Sequence, residues 1–185
     1  MLHGSSIGGR NKFRYVHTNI IAKDCYKLID FYKKVFNCKS IGEVRDQRGE
    51  WLDRLTGLKN AHIYGEHLLL PGYGDDHPTI EIYSYDEMEE GVLSKTNRTG
   101  IAHLAFEVDD VRETLKKLLE YGGSTVGEVV TADNPNHDNK RAVFVYARDI
   151  EGNIIELQSW GNMEYSQFIP LISATQQQDD ERGSL

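Results

Sequence analysis

The sequence predicts an α+β protein made of paired βαβββ modules that form a curved mixed sheet around a metal cleft. First, a strand-like run, an amphipathic helical pattern and three more strand-like runs occur in this order twice. Second, each half carries a histidine in its first run and a glutamate in its last, as His17 and Glu81, then His103 and Glu156. Because one such module cannot bury both faces of its sheet, we expect two modules side by side, in one chain or between chains.

Composition limits the classes of protein that the chain can represent. It has 185 residues, 39% of them hydrophobic, which suits one compact unit with a real core. A formal net charge of -8 argues against nucleic acid or an anionic membrane as partner, because both attract basic surfaces. No apolar run has the length of a signal peptide or a membrane span. Only Cys25 and Cys38 are cysteines, so we expect no disulfide framework and a cytoplasmic location.

In the first half, Asp24 is positioned to cap a helix that follows the His17 run. Apolar residues recur after it at helical spacing, and Asn37 precedes the expected end. A helical insert is predicted near Trp51 and Leu55. The predicted strands behind the helix are Ser40 to Val44, His62 to Leu70 and Thr79 to Tyr85.

The second half repeats this order. Asp110, with Glu113 completing a capping box, begins a helix that we expect to end at the Gly122 and Gly123 pair. The predicted strands are Thr125 to Val130, Arg141 to Ala147 and Asn153 to Ser159, the last two joined by a turn.

Composition shifts set the expected boundaries. The modules cover residues 13–90 and 98–160, and an acidic, then polar, linker lies in 86–99. Residues 1–12 are expected to be flexible, and the polar extension 161–185 to be disordered in part.

Strand alternation predicts where the four repeated polar residues point. Around His103 the apolar residues occupy one face, so the imidazole lies on the other, and the same counting places His17, Glu81 and Glu156 away from their apolar neighbours. Taken singly, such a histidine is more often hydrogen-bonded, and such a glutamate more often faces solvent. Their repetition in both halves favours a shared cleft in which imidazoles and carboxylates bind a divalent ion: zinc, nickel, cobalt, manganese or iron.

Four stretches of the sequence carry a resemblance to a known family. These are His17 to Asp24 with Phe31-Tyr32 following, Thr79 to Tyr83, Gly100 to Asp110, and Asp149 through Gly152 to Leu157. Together they resemble the vicinal oxygen chelate superfamily, which includes glyoxalase I, methylmalonyl-CoA epimerase, extradiol dioxygenases and fosfomycin-modifying enzymes, over about residues 13–160. The resemblance implies two βαβββ modules, with metal ligands on the first and last strand of each.

The resemblance implies an enzyme, because members that only sequester antibiotics lack the ligands. A glutamate at the second ligand position, Glu81, is similar to glyoxalase I, whereas the epimerases usually have glutamine there. The resemblance implies a lyase or isomerase in which a carboxylate moves a proton on the carbon next to a metal-polarised carbonyl. Glu156 is the expected base, and Glu81 is the alternative. The alternatives, in order, are a methylmalonyl-CoA-epimerase-like isomerase and an extradiol-type dioxygenase, with a non-catalytic ligand-sequestering protein as the competing class.

The substrate is predicted only as a small carbonyl compound. Two positions where glyoxalase I holds glutathione are Ile21 and Tyr85 here, so a charged tripeptide would lose its best partners. Tyr83, on the face of Glu81, is predicted to line the pocket. Other substrate contacts are predicted at Trp51, Arg54, Lys140 and Arg141, although these residues suit a solvated surface equally well. His62, His67 and His77 are interpreted as edge or loop histidines. Family resemblance also implies a homodimer.

Overall fold

The structure is a computed structural model that describes residues 14–73, 78–133 and 140–162. The chain divides into two compact units, residues 1–92 and 93–185. No helix or strand lies between Tyr85 and Leu104, where the linker was predicted. No helix in the described ranges is long and apolar enough to span a bilayer.

The first unit holds one mixed sheet and two helices. The sheet has the order β1-β4-β3-β2, in which β1 and β4 are parallel and the other neighbours antiparallel. Its elements are β1 (His17–Ile21), α1 (Cys25–Phe36), β2 (Lys39–Arg48), α2 (Glu50–Thr56), β3 (His62–Leu69) and β4 (Thr79–Tyr85).

Local signals explain where α1 begins and ends. The Asp24 side chain accepts a hydrogen bond from the Lys27 amide at 3.1 Å, and Asn37 adopts the left-handed conformation with φ of 57°. Both ends were predicted from the sequence. The buried stripe of α1 covers one face of the sheet, whose fully buried residues include Leu68 and Ile82.

The second unit repeats the topology of the first. Its sheet has the order β5-β9-β8-β6, with β7 also paired to β8, and its first strand is again parallel to its last. Asp110 caps the helix by accepting from the amides of Arg112 and Glu113, as predicted for the helix start. The elements are β5 (Leu104–Glu107), α3 (Val111–Glu120), β6 (Ser124–Thr125), β7 (Val130–Asp133), β8 (Lys140–Arg148) and β9 (Ile154–Asn162).

One predicted strand is wrong. Residues 125–130 do not form one continuous strand, because residues 126–129 separate β6 from β7. The amides of Val126 and Gly127 both point at the carbonyl oxygen of Tyr146, at 2.9 and 3.4 Å. Two residues therefore oppose one on β8, and this bulge interrupts the ladder.

The predicted faces of the site strands agree with the burial. On β4, Ile80 and Ile82 are fully buried under α1, whereas Glu81 is half-buried on the opposite face. On β5, Phe106 is buried and its neighbours Ala105 and Glu107 are exposed. The face away from the helix in each unit therefore carries the polar residues.

Candidate metal and proton-transfer site

In the first unit the structure brings His17 and Glu81 together. β1 and β4 are parallel neighbours, and Asn19 is the register partner of Glu81. Because His17 lies two residues before Asn19, it projects from the same face of the sheet. The His17 Nε2 atom lies 3.1 Å from Glu81 Oε2, and the two side chains are 39% and 14% exposed.

The second unit contains the corresponding pair. His103 directly precedes β5, and its neighbour two residues on, Ala105, is the register partner of Glu156. His103 Nε2 lies 2.9 Å from Glu156 Oε2, with side chains 30% and 18% exposed. Each unit therefore pairs its own histidine with its own glutamate, and both pairs are open to solvent on one side.

The spacing within each pair fits two ligands of one metal ion. Nitrogen and oxygen ligands bind zinc at about 2.0–2.2 Å, so two of them at roughly 90–110° are about 3 Å apart. Imidazole with carboxylate also suits nickel, manganese and iron. Within the described ranges, no group of three or more histidine, cysteine, aspartate or glutamate side chains is arranged to hold a metal. Each pair alone is therefore two ligands rather than a complete site.

His67 is a further partner of Glu81, which the spacing of residues in the sequence does not indicate. It lies on β3 directly opposite Glu81 in the antiparallel register, and its Nε2 atom is 2.7 Å from Glu81 Oε1. The interpretation of His67 and His62 as edge or loop residues is wrong, because β3 is an interior strand between β4 and β2. His77 lies outside the described residues.

The electrostatics around Glu81 favour a neutral His67. Burial lowers the pKa of His67, against the opposing charge of Glu81. An ionised carboxylate only accepts hydrogen bonds, so the Nε2–H group of His67 donates the hydrogen bond to Glu81. Burial, followed by the negative charge of Glu81, raises the pKa of Tyr83 to about 12. Tyr83 therefore stays a neutral phenol beside the Glu81 carboxylate.

Tyr83 is 7% exposed and packs in a small cluster with Leu52, Ala61 and Ile63. Tyr85, one of the positions that departs from glyoxalase I, packs against the same cluster. Ile21, the other departure, is 46% exposed. No charged group stands at either position to meet a glutathione carboxylate.

The remaining predicted substrate residues lie at the surface or at strand ends. Trp51 and Arg54 are exposed on α2. Lys140 begins β8, and its side chain falls outside the described part of the structure. Arg141 follows it, and its Nε atom lies 2.7 Å from Asp133 Oδ1. That ion pair occupies one edge of the Arg141 guanidinium.

Comparison with known proteins agrees with the observed topology. The chain is 26% identical to the mitochondrial methylmalonyl-CoA epimerase of Dictyostelium discoideum over 155 residues, which is 84% of this chain and 83% of the relative. A glyoxalase family protein from Bacillus cereus, also 26% identical, superposes with a TM-score of 0.68 over 82% of this chain and 97% of the other.

A glyoxalase I variant from Zea mays shares the fold at 19% identity. Its TM-score is 0.54, over 78% of this chain and 44% of the maize chain. The model of the Glyoxalase/Bleomycin resistance protein/Dioxygenase superfamily matches residues 14–157. Because that match covers most of the chain and both repeated units, this protein belongs to the Glyoxalase/Bleomycin resistance protein/Dioxygenase superfamily.

Proposed function

We propose that this protein is a metal-dependent lyase or isomerase of the glyoxalase I type. One divalent ion would be held by His17, Glu81, His103 and Glu156, with the two pairs supplied by one chain or by two copies. The observation that carries the proposal is the repeated pair of imidazole nitrogen and carboxylate oxygen, at 3.1 Å in one unit and 2.9 Å in the other. Relatives in the same superfamily include an epimerase and a glyoxalase I, which supports an enzyme.

The proposed chemistry is the transfer of a proton on the carbon next to a carbonyl. When bound, the ion would polarise that carbonyl and so acidify the neighbouring C–H bond. Glu156 would accept the proton as a general base and then return it to the substrate. The half-buried position of Glu156, beside His103, keeps its carboxylate within reach of a molecule that enters from solvent.

For the substrate we propose a small carbonyl compound. Trp51 and Arg54 on α2 would provide an aromatic surface and a cation, and Lys140 with Arg141 a second basic group for an anionic substrate. Tyr83, two residues after Glu81 on the same face of β4, would line the pocket with the small part of its ring that is exposed. We also propose a cytoplasmic homodimer, as the composition and the family resemblance imply.

Metal content and proton exchange test this function. Protein reconstituted separately with nickel, zinc, cobalt and manganese should bind one ion for each complete site. It should also exchange the hydrogen beside the carbonyl of a hemithioacetal or an acyl-CoA ester with solvent deuterium. His103→Ala should lower the metal affinity by more than about 100-fold, because it removes a ligand. His62→Asn, which changes a histidine outside both pairs, is the matched control.

Glu156→Gln tests the general base, and because Glu156 is also a proposed ligand, the variant is assayed at saturating metal. We expect it to slow deuterium exchange by about 10²–10⁴-fold, the usual contribution of a general base. The proposal fails if His103→Ala binds metal as the wild type does, or if no metal supports exchange with any substrate tested. Metal-dependent O₂ consumption with a catechol, or ligand binding without turnover, would identify the other reaction classes of the family.

A 2-epimerase acting on an acyl-CoA is the second candidate. Similarity to the Dictyostelium epimerase over 84% of this chain favours it, as does the absence of glutathione partners at Ile21 and Tyr85. The two candidates share the proton transfer but differ in product. Epimerisation of (R)- or (S)-methylmalonyl-CoA without isomerisation of hemithioacetals would favour the epimerase, and the reverse pattern would favour the glyoxalase type.

A further inference from the structure

The two glutamates occupy equivalent positions in the two units but have different neighbours across the sheet. His67 on β3 is the register partner of Glu81 on β4. In the second unit the corresponding strands are β8 and β9, and Tyr146 is the register partner of Glu156. The repeat therefore places a histidine opposite one carboxylate and a tyrosine opposite the other.

Glu81 has both carboxylate oxygens engaged. Oε1 lies 2.7 Å from His67 Nε2, and Oε2 lies 3.1 Å from His17 Nε2. The side-chain amide of Asn19 also donates to Oε2, at 3.4 Å. A carboxylate held through both oxygens cannot rotate without breaking hydrogen bonds.

Glu156 is held less firmly. Its Oε2 atom lies 2.9 Å from His103 Nε2. Tyr146 packs against the His103 ring, with centroids 5.1 Å apart, rather than bonding to the carboxylate. Among the residues that the structure describes, Glu156 has no second hydrogen-bond partner.

We propose that His67 is a positioning residue that fixes the Glu81 carboxylate, so that Glu156 alone moves to take the substrate proton. The inference rests on the function proposed above. Releasing Glu81 would break its bonds to His67 and Asn19 in addition to the one to His17, whereas releasing Glu156 breaks only its contact with His103. His67 would also prepare Oε2 as the ligand atom, since a preoriented ligand loses less conformational freedom on binding.

The first test measures metal affinity by calorimetry. His67→Leu removes the hydrogen bond and should weaken binding by about 10–100-fold, the usual effect of losing an outer partner of a ligand. His67→Gln keeps an N–H donor at a similar reach and should restore most of the affinity. Wild-type affinity in His67→Leu would overturn the proposal. Complete loss of binding that His67→Gln does not restore would also overturn it, because it would make His67 a ligand.

The second test adds the same bond to the other glutamate. Tyr146→His places an imidazole opposite Glu156 and should lower the deuterium exchange rate by about tenfold or more without lowering metal affinity. Unchanged exchange in this variant would contradict the assignment of Glu156 as the mobile carboxylate.

The third test needs no metal and so separates this inference from the proposed function. Urea unfolding of His67→Leu, Glu81→Gln and the double variant forms a double-mutant cycle. We expect the two sites to be coupled by about fivefold or more in the unfolding equilibrium constant. The matched cycle of Tyr146→Leu and Glu156→Gln should show almost no coupling.

Equal coupling in both cycles would overturn the inference, even if the protein binds metal as proposed. Clear coupling between His67 and Glu81 in a protein that binds no metal would contradict only the function.

Discussion

At the scale of single residues, Gly65 shows how closely the backbones of β3 and β4 approach each other near the site. It lies on β3 opposite Tyr83, with φ of 148°. A Cβ atom built there would lie 2.0 Å from the carbonyl oxygen of Ile82 and 2.8 Å from the Tyr83 ring. Only glycine fits this position, which is two residues from His67 on the same face of the strand.

Gly65→Ala should therefore destabilise the protein by about 3 kcal/mol or more, since the backbone must shift to relieve the contact. Urea unfolding followed by circular dichroism measures this change. Gly91→Ala is the matched control, because no atom lies within 4 Å of the Cβ position there. We expect the control to stay within about 0.5 kcal/mol of the wild type. Equal stability of the two variants would show that the strands do not approach so closely.

At the scale of elements, His62 links three segments of the first sheet. It begins β3, and its Nδ1 atom lies 2.8 Å from Asp86 Oδ2, just after β4. Its Nε2 atom lies 2.9 Å from Asp46 Oδ1 on β2. The hydrogen bond to Asp86 raises the pKa of His62 most, and the hydrogen bond to Asp46 raises it further. Burial and the positive charge of Arg48 act in the opposite direction and lower this pKa. The protonated imidazole can donate to both carboxylates at once.

The stability provided by His62 should consequently fall as the pH rises. Because folding raises its pKa above the ordinary value of 6.5, the contribution is complete below that value and is lost as pH rises through the folded pKa. Urea unfolding between pH 6 and 9 should show the wild type more stable than His62→Asn at low pH, with the difference shrinking towards pH 9. Asp86→Asn removes the largest cause and should weaken the trend. A difference that is constant with pH would contradict this role.

The end of α1 and the start of α3 could be predicted because their signals are local. An aspartate that accepts from the first amides and an asparagine with positive φ act within a few residues of the helix. The interruption between β6 and β7 could not be predicted from residues 125–130, because it depends on the Tyr146 carbonyl of another strand. Strand continuity is decided by the partner strand as well as by β propensity.

At the scale of the whole molecule, we predict a homodimer. Each sheet has its first strand, β1 or β5, at an edge, and the chain near these edges carries exposed hydrophobic residues, among them Tyr15 and Ile101. Exposed strand edges with apolar side chains favour association. Sedimentation velocity should give a species of about twice the 21.1 kDa chain mass, and a monomer at micromolar concentration would refute the prediction.

Mixing two inactive variants distinguishes sites within one chain from sites shared between chains. If each dimer site takes one pair from each chain, refolding His17→Ala together with His103→Ala regenerates some intact sites and restores metal binding. If each chain builds its own site, the mixture stays inactive. Titrating the refolded mixture with each metal ion separately, and measuring the number of ions bound, distinguishes the two outcomes.

The sequence by itself determined the repeated βαβββ order, the helix starts and the faces of His17, Glu81, His103 and Glu156, because period and capping are local properties of the chain. Only the tertiary structure decided that His67 stands opposite Glu81. That contact depends on the register between β3 and β4, which pairs the two strands along their length while both pack against α1. The register between β8 and β9 likewise places Tyr146 opposite Glu156, so two glutamates at equivalent positions of the repeat have different neighbours.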